Sequence, residues 1–344
     1  MDLSRLQSVY AHEGPAATVY LEGRSPAEDS GEQLRKRWKD LRERLSAAGA
    51  TSGALQALDV ALGQDQSGEE QANGRVLVAS EQGLVLDEPW DAALGSGDQA
   101  HWSELPELGA MVREECRSVR MLVVLAKHQG AQIRQEIVAE EHVARDVGTQ
   151  NVTGSSDRDP HKPRGGALAH KQIQRRAEQA QRRNAEDVVK ELRTLEASFR
   201  PRVIVLAGEV QDRTAVRDAL PEGLFRLCVD VDRGDDQDES AEQALAEQLR
   251  QVAVEESTRS AQSRSEQLHA GLAHEQAVRG ADQVARAAEM GAVETLLLEH
   301  GVAADREASL IKMSALGSAR VDLVEQGTDL TDGVGALLRF PLKS

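Results

Sequence analysis

The residues with the clearest chemical bias are His161-Lys162-Pro163-Arg164-Gly165-Gly166-Ala167-Leu168-Ala169-His170-Lys171, where a polar stretch gives way to a basic helix. Between His161 and Arg183 stand seven Lys or Arg (Lys162, Arg164, Lys171, Arg175, Arg176, Arg182, Arg183) against one acid, Glu178. That segment carries +6 in a chain of net charge −17, so the remainder carries −23. A cationic spike on an anionic body is a local device for a polyanion, because the rest of the surface repels RNA or DNA.

Two glycines ahead of a helix tolerate positive φ and leave their N–H groups unshielded. The helix start adds unpaired N–H groups and a partial positive charge, which favour an anion. Lys171, Arg175 and Arg176 in the opening turns run against that dipole, at roughly 0.3–1 kcal/mol each when exposed. A sequence shaped for helix stability alone would put Asp or Glu there. Lys171, Arg175 and Arg182 share one face, displaced from the apolar stripe Ile173, Ala177, Ala180. A solvated basic face after a flexible loop is the plain alternative; charge contrast, position and glycines together favour phosphate binding.

Other chemistry is sparse. Asp157, Asp159 and His161 form a DxDxH run, but a Gly/Ser loop gives no rigid framework for a metal, and a solvated loop is expected. Cys116 and Cys228 are the only cysteines; both lie beside apolar strands and read as buried thiols in a reducing compartment. There is no P-loop, GxSxG or dinucleotide fingerprint, so no cofactor and no catalytic residue is expected. At 2% aromatic residues, base stacking is a poor recognition mode. No apolar run approaches the ~20 residues that span a bilayer, and the N-terminus shows no signal-peptide core. A cytoplasmic protein with no membrane partner is expected.

A length of 344 residues suggests two or three domains. In the first, 1–117, a strand at 17–21 precedes an amphipathic helix (Leu34, Trp38, Leu41, Leu45), a second helix at 52–62 and a hairpin about Gln82-Gly83. In the second, 118–234, the apolar strand Met121 to Ala126 and a strand to Val138 precede a polar stretch, 146–160, read as a mobile loop. The basic helix, the strand Val203 to Ala207, a helix and the strand at 227–229 follow, predicting a mixed sheet flanked by helices, as in RNase H-like folds. No acidic residue stands on Met121 to Ala126, which argues against nuclease chemistry there. The third, 235–344, alternates helix and strand and predicts an α/β/α sandwich. The fold class is therefore α/β in three domains.

A strand hairpin, a long loop, Gly165-Gly166, an Arg-rich helix and an apolar strand ending in Ala207-Gly208 together resemble the central domain of the archaeal and eukaryotic peptide-chain release factors. Family members carry Gly-Gly-Gln at this place. The ending Asp332-Gly333-Val334-Gly335-Ala336-Leu337-Leu338-Arg339-Phe340 resembles release factor and Pelota C-terminal domains, and Thr18 to Leu45 resembles the family's opening. The nearest resemblance is to the bacterial branch of this superfamily, which includes Balon-type ribosome hibernation factors. Two departures matter. Ala167 stands where the family's Gln positions water at the peptidyl-transferase centre, and no Asn-Ile-Lys-Ser for stop-codon reading occurs. The resemblance thus implies a ribosome-binding hibernation or stress factor, not a termination enzyme. Arg164, Gly165, Gly166 and Ala167 would form the tip in the peptidyl-transferase centre. Lys162, Lys171, Arg175, Arg176, Arg182 and Arg183 would hold rRNA phosphates of the A site. The C-terminal domain would engage a translational GTPase such as elongation factor Tu. A rescue factor promoting peptidyl-tRNA hydrolysis and an RNA-binding stress protein without ribosomal role are the alternatives.

Overall fold

The computed structural model describes residues 1–12, 14–22, 30–63, 74–90, 97–139, 144–155, 167–232, 239–299, 301 and 303–342. Among them, three sheets and nine α-helices make an α/β protein, as the sequence predicts. The chain divides into two compact units, one holding Met1–Arg117 with Glu256–Ser344 and the other Ser118–Glu140 with Ala144–Glu255.

In the first unit, β1 (Ala16–Leu21), β2 (Gly74–Ser80), β3 (Gly83–Trp90) and β4 (Gln99–Ser103) form an antiparallel sheet of order β3-β2-β1-β4. Because successive side chains point to opposite faces, Ala17, Val19 and Leu21 meet α1 (Ser30–Ala47) and α2 (Ser52–Gly63), while Ala16 and Tyr20 meet a different core. Helix α1 buries Trp38, Leu41 and Leu45 at helical spacing, and the Trp38 indole donates to Asp59 Oδ1 at 2.9 Å. The opposite core is shared: Tyr20, Val76, Val78 and Trp90 form one cluster with the C-terminal sheet, and with α3 (Gly109–Arg117).

That C-terminal sheet runs β10-β13-β11-β12, from β10 (Ala277–Arg279), β11 (Val293–Glu299), β12 (Arg320–Val324) and β13 (Val334–Leu338), with β11 and β12 parallel. Helices α8 (Ala281–Glu289) and α9 (Glu307–Leu316) share one face's core, and Leu268 of α7 (Glu239–Ala273) joins Leu297, Val324 and Leu337 on the other. The predicted α/β/α layering is present. The N-terminal residues close this unit: Leu3, Leu6 and Val9 are fully buried, and the Leu3 N–H donates to the Ala319 carbonyl at 3.0 Å. Arg113 of α3 forms a bidentate pair with Glu307 at the start of α9, both side chains largely buried.

In the second unit, β5 (Val119–Lys127), β6 (Gly130–Val138), β7 (Arg145–Thr153), β8 (Val203–Gly208) and β9 (Cys228–Asp230) form a mixed sheet of order β7-β6-β5-β8-β9. Strands β5, β8 and β9 are parallel and β6 is antiparallel to both neighbours, the RNase H-like arrangement expected. Leu122, Val124, Ile204 and Leu206 face α4 (Ala167–Phe199), α5 (Val210–Ala219) and the short α6 (Glu222–Phe225). Met121, Val123, Leu125 and Val205 face Leu245, Leu249, Val252 and Ala253 of α7.

Three expectations are corrected. Residues 146–153 are not loop: they belong to β7, an edge strand paired only with β6, whose side chains are mostly exposed. The stretch from 235 is not one body, since α7 up to Glu255 packs under the middle sheet and later residues join the first unit. Cys228 is half-buried rather than buried, on the short edge strand β9, though burial still pushes its thiol, like that of Cys116, up to about 11.

Candidate nucleic-acid interface

Helix α4 spans 33 residues, about 50 Å at 1.5 Å per residue, and its two halves differ. From Asn184 onward it carries a buried stripe of Ala185, Val188, Val189, Leu192, Leu195 and Phe199, which anchors it to the sheet. Towards its start, none of the described side chains from Arg175 to Arg183 is buried: Arg175, Glu178, Gln179, Arg182 and Arg183 are exposed, and Ala180 and Gln181 are half-buried. The cationic half is therefore positioned by the apolar half, which acts as its mount.

Arg175 and Arg182 are seven residues apart and fall on one helical face. Arg182 is 82% exposed and lies 3.4 Å from Glu186 one turn on, a solvent-screened pair of little energetic weight. Its guanidinium can exchange that partner for a phosphate at small loss. Ala167 is the first residue of α4, so Gly165-Gly166 directly precede the helix. Lys162, Arg164, Gly165 and Gly166 lie outside the described residues, as do Asp157, Asp159 and His161 of the DxDxH run. Lys171 and Arg176 are on α4, but their side chains are outside the described set. Among the described residues, no three His, Cys, Asp or Glu are placed to hold a metal ion.

The junction of α4 with the sheet holds polar groups that the linear pattern does not single out. The Gly154 N–H donates to the Gln129 carbonyl at 2.8 Å, and the Ser155 N–H donates to Asp187 Oδ2 at 2.9 Å. That bond from Ser155 holds the Asp187 carboxyl below its usual range. Asn184 is buried at 6% exposure and donates to the His128 carbonyl at 3.3 Å. Gln181 donates to Asp212 Oδ1 at 2.9 Å, tying α4 to α5. The signal for Asn184 is present in retrospect: it is a polar residue in register with Val188, Leu192 and Leu195.

A second overlooked group is Glu136 on β6, only 7% exposed. Burial pushes its carboxyl up; Arg134 opposes this, and Asp146 and Glu242 reinforce it. The folded chain thus holds this proton more tightly than the unfolded chain does. The stability it lends below about pH 4.5 is lost as pH rises through the folded-state value. Glu136→Gln is accordingly expected to stabilise the protein at pH 7, with the difference from wild type vanishing below that lower pH. Urea unfolding of both at pH 7 and pH 4 measures it, and a destabilised Gln variant at pH 7 would contradict the assignment.

Comparison with known proteins bears directly on this unit. Residues 120–274 match the model of bacterial archaeo-eukaryotic release factor family 2. This middle part of the chain is similar to that release factor family. The match takes in α4, α7 and all of the middle sheet but Val119. This release-factor-like chain is also 25% identical over 227 residues to two Mycobacterium tuberculosis proteins, Rv2629 and MT2704, both described as uncharacterized. The alignment covers 64% of this chain and 57% of theirs, so it spans little more than half the length of those relatives. Among solved structures, an archaeal translation termination factor aRF1 aligns over 98% of this chain and 97% of its own, at 17% identity and TM-score 0.25. A ribosome-bound archaeal Pelota aligns over 99% and 95%, at 13% identity and TM-score 0.45. Dom34 of S. cerevisiae, a translation termination-like factor interacting with Hbs1, aligns over 72% and 75%, at 10% identity and TM-score 0.41.

Proposed function

We propose that this release-factor-like protein is a cytoplasmic ribosome-binding factor that occupies the A site and reaches the peptidyl-transferase centre without hydrolysing peptidyl-tRNA, in a hibernation or stress role. The observation that carries this reading is the exposed cationic half of α4, set immediately behind Gly165-Gly166 in an otherwise acidic chain. A polyanion is the partner such a local field selects, and an acidic remainder keeps contact confined to that face. Lys162, Lys171, Arg175, Arg176, Arg182 and Arg183 hold rRNA phosphates in this reading, and Arg164, Gly165, Gly166 and Ala167 form the tip. The C-terminal sandwich is the part proposed to meet a translational GTPase such as elongation factor Tu.

Two measurements test it. Purified 70S ribosomes should carry the protein through a sucrose cushion, with association falling by about 0.7–0.9 log units per log unit of salt for each phosphate engaged. Failure to co-sediment at low salt would leave an RNA-binding role away from the ribosome.

The second measurement concerns Ala167, whose methyl group offers no donor or acceptor to orient water. Wild type is expected to release no peptide from peptidyl-tRNA on the ribosome. Ala167→Gln is expected to gain little, because the amide must also be placed within hydrogen-bond reach. Both should bind equally. Release by wild type at a termination factor's rate would replace this reading with that of a rescue factor.

A further inference from the structure

We infer that Asp187 and Asn184 are positioning residues that fix the point from which the chain leaves β7 for the Gly-Gly segment; this rests on the proposed reading of that segment as the ribosome-facing tip. The end of β7 is held on two sides. Gly154 and Ser155 give their N–H groups to the Gln129 carbonyl and to Asp187, so consecutive backbone donors bind the β5–β6 turn and the flank of α4. Asn184 closes the third side by donating to the His128 carbonyl in that same turn.

The close approach needs glycine twice. A Cβ on Gly154 would overlap the Asn184 side chain, and one on Gly130, where φ is +145°, would overlap the Val152 carbonyl. Turn, strand end and helix are thereby pressed together at one place, where a larger residue would force them apart.

Asp187 follows another acid, Glu186, but is the one that accepts from the Ser155 N–H. It lies one turn beyond Arg183, at the border of the cationic half, where a carboxylate weakens the attraction for phosphate. The bond from Ser155 accounts for its presence. The consequence concerns the connection of residues 156–166. Both of its ends are tied to the same helix, at Asp187 and at Ala167, about 30 Å apart along the axis. Asp187 and Asn184 set one of those two ends relative to Arg175, Arg182 and Arg183.

Charge and position make opposite forecasts, which allows a test. Asp187→Ala and Asp187→Asn remove the same charge, but Asn retains an oxygen to accept from Ser155. If Asp187 acts only through its charge, both variants bind 70S ribosomes more tightly. If it positions the chain, the Ala variant binds about fivefold more weakly, the loss expected of one hydrogen bond, while the Asn variant holds. Ser155→Pro removes the donor from the other side without touching the helix and should reproduce the Ala result. Hydrogen exchange at the Ser155 amide should accelerate in Asp187→Ala and stay slow in Asp187→Asn, with melting temperatures close to wild type. Wild-type or tighter binding by Asp187→Ala, or an equal loss in the Asn variant, overturns the inference while the ribosome reading stands. Absence of wild-type binding removes both.

Discussion

Replacing Glu307 by alanine is expected to destabilise the first unit by about 3–5 kcal/mol. Glu307 accepts both guanidinium N–H groups of Arg113 and also the Ala304 N–H at 2.7 Å, and the Arg113 and Glu307 side chains are only 13% and 10% exposed. Removing the carboxylate takes the counter-charge from a largely buried cation, and the Glu299 carbonyl at 3.4 Å is a weak acceptor in its place. The guanidinium then loses the two charge-assisted bonds that this carboxylate supplies. Arg113→Met with Glu307→Leu should cost less than either single change, because a matched apolar pair leaves no orphan charge. Chemical denaturation of the four chains gives the cycle. A Glu307→Ala loss below about 1 kcal/mol, the range of an exposed ion pair, would show that the pair is solvated in solution. Gly109 belongs to the same site, since a Cβ there would collide with Glu307 Oε1.

If Arg175 and Arg176 hold phosphates as proposed, reversing both to Glu is expected to reduce ribosome association on the order of a hundredfold or more, because two charge-assisted hydrogen bonds would be lost. Repulsion adds to the loss, and the salt slope flattens because fewer counterions are released. Folding should barely change. Arg175 is exposed, and surface changes of this kind stay within about 0.5 kcal/mol. Co-sedimentation of the double variant at wild-type levels would remove the cationic face from the binding account.

The sequence predicts the buried parallel strands β5, β8 and β11 because they are continuous apolar runs, and α1, α4 and α7 because of their length. Strand β7 escapes it: Arg145-Asp146-Val147-Gly148-Thr149-Gln150-Asn151 is polar, since an edge strand with exposed side chains need not alternate. Strand β10 is three residues long, below what a period can reveal. Helix α9 and strand β4 are not separable from loop by pattern, β4 being half-buried throughout. The shared core of the first unit is invisible in one dimension, because short segments such as Leu3–Leu6 carry no periodicity of their own. At the candidate interface, the cations are legible as composition. Asn184 and Asp187 take their meaning from Gly154 and Ser155, some thirty residues earlier, which only the folded chain brings near.

The joining of the first and last portions of the chain in one core also sets an order of events during synthesis. Leu3, Leu6, Val9 and Tyr10 are buried with residues such as Val321, Leu323 and Ala315, more than three hundred positions downstream. Such distant pairing is slow to form and leaves apolar surface waiting. The second unit lies almost wholly within 118–255 and has all its strands once Asp230 has been made. It can therefore fold while the ribosome is still translating, whereas the N-terminal sheet must keep one face uncovered until nearly the last strand, β13, emerges. The growing chain can thus complete its proposed rRNA-binding module before its other unit.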